Sequence, residues 1–109
     1  MTYDDLVERA LVLPDTREDL HYGGTSVMRG DRWMLSLKKD GETIVLKLDW
    51  ESHDRLLATH PETIFKTPHY EGYPAFLVRL DLLTPDLAEE LIRLSWEDAP
   101  QKAKKIRSS

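Results

Sequence analysis

Cysteine is absent from all 109 residues, which excludes a disulfide scaffold, a thiolate-bound zinc or iron–sulfur centre and cysteine-nucleophile chemistry together. Long apolar runs are missing as well, and the opening Met1-Thr2-Tyr3-Asp4-Asp5 carries no basic leader region. Neither a signal peptide nor a membrane span is expected, and a cytoplasmic location is the default. Positive charge is also in short supply. Fifteen Lys and Arg stand against twenty Asp and Glu, for a formal charge of −5. Nucleic-acid binding is dominated by cations on phosphates, so only a local basic patch would support it here. Internal repeats, low-complexity linkers, GxSxG, P-loop and dinucleotide fingerprints are all lacking, so an enzymatic reading has no motif behind it and no cofactor is expected.

What is present is the make-up of a folded chain: 40% hydrophobic residues, three tryptophans and evenly spread charge. The length suits one domain over 1–109, with a basic C-terminal helix or tail at about 100–109. Thr2 followed by Asp5 forms a capping-box-like start, and Tyr3, Leu6, Val7, Ala10 and Leu11 recur with helical spacing up to Pro14. The acid-rich stretch from Pro14 to Gly24, closing on Gly23-Gly24, reads as a surface connection. The period then changes to two. Ser26 to Arg29, Arg32 to Lys38 and Thr43 to Asp49, joined at Gly30-Asp31 and Asp40-Gly41, predict a three-stranded meander. Alternation puts Trp33, Leu35, Leu37, Ile44, Leu46 and Leu48 on the core face. Ser36, Lys38, Val45 and Lys47 fall on a second, partly wet face.

Asp49 is the expected N-cap of a short helix through Ala58, stopped by Pro61. Glu62 to Pro74 has no steady period and reads as a long loop holding at most a short strand. Ala75 to Asp81 alternates again as a fourth strand. Thr84 and Pro85 open a helix with Leu87, Leu91, Ile92 and Leu94 inward. Trp96, Ala99, Ala103 and Ile106 predict a kinked or separate terminal helix past Pro100. The fold class is therefore α+β: a small antiparallel sheet packed against N- and C-terminal helices.

Lys38 and Lys47 share the second sheet face with Arg79, and Lys102, Lys104, Lys105 and Arg107 form a terminal cluster. These are the candidate nucleic-acid contacts. The competing reading is edge-protecting lysines and a solvated helix end. Tyr70 and Tyr73 flank Gly72 on the long loop and are candidate anchors for a ligand or a protein partner. Trp33, Trp50 and Trp96 read as core or its rim. His53 and His60 stand two helical turns apart, about 10 Å, too far to share one ion, and neither His21 nor His69 completes a metal spacing. Asp4, Asp5, Glu8, Asp15, Glu18 and Asp19 suit a helix start and a solvated loop better than a cation site. Thr25-Ser26 after the glycines is the one place for a nucleophile, and there the glycines read instead as the start of a strand.

Several pieces in order carry a family resemblance. They are Leu11-Val12-Leu13-Pro14, Glu18-Asp19 to Gly23, Val45-Leu46-Lys47-Leu48 with Asp49, Pro68 to Tyr73, and Leu94-Ser95-Trp96. Together they resemble the MmcQ/YjbR family of small bacterial proteins over nearly the whole chain. The resemblance implies a frataxin-like (CyaY-like) arrangement, described as a double-wing DNA-binding-like domain, with Lys47, and then Lys38 and Arg79, as the matched positions relevant to DNA. The sequence departs from the family in its net acidity and in Tyr73-Pro74, where the family has an aromatic just before the last strand. Two functions follow as expectations: DNA binding through the polar sheet face, or a non-enzymatic module for a protein or small ligand.

Overall fold

The computed structural model describes residues 1–21 and 24–108, with side chains other than those of 21 and 100–108. The chain order is α1 (Tyr3–Leu11), β1 (Thr16–His21), β2 (Gly24–Arg29), β3 (Arg32–Leu37), β4 (Thr43–Lys47), α2 (Trp50–Thr59), β5 (Ile64–Phe65), β6 (Ala75–Arg79) and α3 (Pro85–Ser108). The six strands form one antiparallel sheet in the order β1-β2-β3-β4-β6-β5. This is the α+β class expected from the sequence.

Each helix starts where its cap dictates. The Thr2 hydroxyl accepts from Asp5 N at 3.1 Å and the Asp5 carboxylate accepts from Thr2 N at 3.3 Å, so two orphan donors of α1 are satisfied reciprocally. Asp49 caps α2 through Ser52 N, and Thr84 accepts from Leu87 N at the head of α3. The buried faces of α1 (Tyr3, Leu6, Val7, Ala10) and α3 (Leu87, Ala88, Leu91, Ile92) join Val27, Leu35, Ile44, Leu46, Phe76 and Val78 of the sheet in one core. Burial of that apolar surface is the main force holding helices to sheet.

Three expectations need correction. The stretch after Pro14 is not a surface connection, because Thr16–His21 pairs with β2 along its full length. Its charges disguise it: an edge strand with Arg17, Glu18 and Asp19 resists pairing with other chains and shows no apolar alternation. Gly23 lies outside the described residues. The long loop holds a short strand as expected, β5 paired to β6, together with a 3-10 turn over Pro68–Tyr70. The chain past Pro85 is one helix through position 100, with no separate terminal helix. Contacts of Ser95, Trp96, Asp98 and Ala99 with the sheet side hold it on course up to the proline.

The third correction concerns the meander. Val27 pairs Leu35 but Met28 pairs Trp33, so a bulge puts one extra residue into β3. Met34 and Leu35 are both fully buried, and Trp33 leaves the core face and donates its indole N–H to Ser36 Oγ at 2.6 Å. Strict alternation does not anticipate this, since one bulge reverses every side chain beyond it.

Candidate functional site

The register carries Ser26, Ser36, Val45, Leu77 and Phe65 across the second face of the sheet in one row. Ser26, Val45 and Leu77 are buried, so the face is closed over at its middle rather than wet. The segment 66–74 lies against it. The Tyr70 ring reaches Lys38, just past β3, at 5.7 Å, and Tyr73 lines a cleft with Trp33 of β3 and Lys47 of β4.

Lys66 anchors that segment. Its ammonium donates to Tyr73 O at 2.7 Å and Ala75 O at 2.9 Å, and it stands 2.8 Å from His53 Nε2. Lysine has donors only, so Nε2 accepts and the ring proton sits on Nδ1, facing Asp54 Oδ1 at 2.9 Å. His53 is buried between Trp50, edge-on at 4.9 Å, and Phe76, stacked at 5.5 Å. Burial lowers the Lys66 pKa, against the raising influence of Glu71 and Asp54. This cluster ties α2 to both ends of the 66–74 segment, and sequence reading missed it because its groups meet only in three dimensions.

The cations expected on one polar face have different surroundings. Lys47 Nζ pairs with Asp98 Oδ2 of α3 at 2.8 Å, and both side chains are mostly buried. Arg79 is exposed but lies 4.3 Å over the Phe65 ring. Lys38 and its neighbour Lys39 are in no ion pair among the described residues. They line a cleft of about 260 Å3 with Gly24, Thr25, Ser26, Ser36 and Leu37. The side chains of Lys102, Lys104, Lys105 and Arg107 lie outside the described residues.

The remaining candidates have structural partners. The Thr25 hydroxyl donates to Glu18 Oε2 at 2.8 Å and lies 3.4 Å from Tyr3 OH, whose pKa burial raises. Ser95 and Trp96 fasten α3: Ser95 donates to Met34 O, the Trp96 indole donates to Pro14 O, and Arg29 lies 3.5 Å over the Trp96 ring. His69 packs edge-on against Tyr70 at 4.7 Å, and His60 caps the end of α2. The side chain of His21 is outside the description. Among the described residues no group of three or more His, Asp or Glu is arranged to hold a metal ion, and no helix is long and apolar enough to cross a membrane.

Two of the clefts among the described residues lie at opposite ends of β3, one with Lys38 and Lys39, the other with Trp33, Lys47 and Tyr73. Known proteins share this framework. A crystal structure of a Deinococcus radiodurans protein with the DUF419 domain superposes with a TM-score of 0.78 over 94% of this chain and 80% of that one, at 25% identity. Uncharacterized proteins of Mycobacterium bovis and Mycobacterium tuberculosis are 49% identical over 41 residues, 38% of this chain. That match spans 32% of the length of each of these relatives. The YjbR family profile matches residues 11–98, from the end of α1 to the Lys47–Asp98 ion pair, and the chain belongs to the YjbR family.

Proposed function

We propose that this chain is a nucleic-acid-binding module whose phosphate contacts lie at the Lys38–Lys39 end of the sheet. One observation carries the reading: two lysines without ion pairs among the described residues share a cleft with the hydroxyl-bearing Thr25, Ser26 and Ser36. Ammonium groups beside hydroxyls are phosphate-binding chemistry; the Thr25 proton is already given to Glu18, whereas Ser36, which accepts from Trp33, keeps its own proton to donate. Lys47 is set apart from this role by its bond to Asp98. Arg79, exposed near the same end of the sheet through its pairing with Thr43, is an auxiliary phosphate contact. With a net charge of −5, long-range attraction to a polyanion is weak, and affinity comes from this local patch.

The test is binding of a labelled oligonucleotide at rising salt. Affinity is expected to fall steeply with salt and to be lost in Lys38→Glu/Lys39→Glu. No binding at low salt, or binding that the double variant leaves intact, would remove the proposal. A second reading, a module for a protein or small ligand anchored by Tyr73, is favoured by the 43% exposure of that tyrosine beside the second cleft. Partner capture that Tyr73→Ala abolishes, in a protein with no affinity for oligonucleotides, would select it.

A further inference from the structure

The second cleft, about 170 Å3, is lined by Asp31, Arg32, Trp33, Lys47, Tyr73 and Ala99. It is smaller than the roughly 300 Å3 at which pockets for drug-sized ligands begin, and suits a single planar group. Its walls are held from behind. The Trp33 N–H is already given to Ser36, so the indole offers the cleft a π surface and no further donor. Tyr73 is fixed by its main chain, whose carbonyl accepts from Lys66 and whose N–H donates to Tyr70 O at 3.1 Å. Lys47 is steadied by Asp98. Arg32 is in no ion pair among the described residues.

We propose that this cleft receives the base of an unpaired nucleotide, stacked on Trp33 and Tyr73, with Arg32 against the neighbouring phosphate. The inference rests on the nucleic-acid reading above and narrows it to single strands. Aromatic walls accept any base by its π face, whereas a base paired and stacked inside a duplex cannot enter. Asp31 supplies an acceptor for an exocyclic amino group. From Trp33 to Lys38 the strand rises roughly 16 Å at about 3.3 Å per residue. One extended strand can therefore meet the aromatic cleft at one end of β3 and the Lys38–Lys39 cleft at the other.

Preorganisation matters for affinity. Fixing the walls in advance removes an ordering cost that mobile aromatic side chains would incur on binding. The Lys66 cluster thereby acts on the cleft at a distance, by holding Tyr73 in position.

The test compares a short single strand, its duplex and the same strand with abasic sites, by fluorescence anisotropy at low salt. The single strand is expected to bind more tightly than the duplex, and abasic sites to weaken it about tenfold, the scale of losing a stacked base. Tyr73→Ala should weaken the intact strand by a similar factor and leave the abasic strand unchanged, with Tyr73→Phe restoring tight binding. Equal affinity for intact and abasic strands, or an equal Tyr73→Ala loss on both, overturns the base site. If Lys38→Glu/Lys39→Glu still abolishes binding in that case, the phosphate reading stands without it. No binding of any strand overturns both.

Discussion

Trp96 ties three segments together through its indole and its main-chain carbonyl. Its indole N–H donates to Pro14 O at 2.9 Å, its carbonyl accepts from Arg29 at 2.7 Å, and the Arg29 guanidinium covers its ring. A partly desolvated cation–π contact contributes about 1–2 kcal/mol and a charge-assisted hydrogen bond about as much. Arg29→Ala is expected to lower unfolding free energy by roughly 2 kcal/mol in a denaturant titration. Asp40 works the same way on a smaller scale. It accepts from Glu42 N, Thr43 N and the Thr43 hydroxyl in the turn between β3 and β4, and these bonds, led by that from Glu42 N, hold its pKa below the ordinary aspartate value. A depressed carboxylate stabilises the fold above its unfolded pKa, and that contribution is lost as pH falls through the lowered folded value. The stability gap between wild type and Asp40→Asn should therefore be full above about pH 5 and shrink in acid. A gap that widens in acid would contradict the assignment.

At the scale of elements, the segment 66–74 depends on one ammonium. Lys66→Met takes this donor from Ala75 O and His53 Nε2, while Tyr73 O keeps the Ala75 N–H at 2.8 Å. Partly buried acceptors without a partner cost on the order of 1 kcal/mol each, so a total loss of roughly 2 kcal/mol is expected. Amide exchange should quicken in residues 67–74 before it does in β3 or β4, and uniform acceleration would show that Lys66 does not act locally. Much of the element order was legible beforehand, and the reasons are particular. Thr2, Asp49 and Thr84 announce their helices by side-chain oxygen, and Ile44, Leu46, Phe76 and Val78 announce their strands by alternation. β1 was illegible because Arg17-Glu18-Asp19 is polar on both faces. The bulge was illegible because Met34 and Leu35 are both inward, a placement that a period of two assigns to neither strand face.

Across the whole molecule, the candidate site was legible in residue type but not in arrangement. Lys38, Lys47 and Arg79 were recognisable as cations near one face, yet Asp98 lies 51 residues from Lys47 in sequence and meets it only through the packing of α3. That contact separates a structural lysine from a pair open to ligand. Asp98→Ala removes the carboxylate that the Lys47 ammonium meets at 2.8 Å and is expected to lower the denaturation midpoint. The same distinction decides the central claim, that phosphate is held at Lys38 and Lys39. The direct measurement is the slope of log affinity against log salt for a single-stranded oligonucleotide, in wild type, Lys38→Ala/Lys39→Ala and Lys47→Met. Each phosphate contact contributes about 0.7 to that slope. The slope is expected to be shallower by about 1.4 in the double variant and unchanged in Lys47→Met; an unchanged slope in the double variant, with the loss appearing at Lys47 instead, would place the phosphate contacts elsewhere.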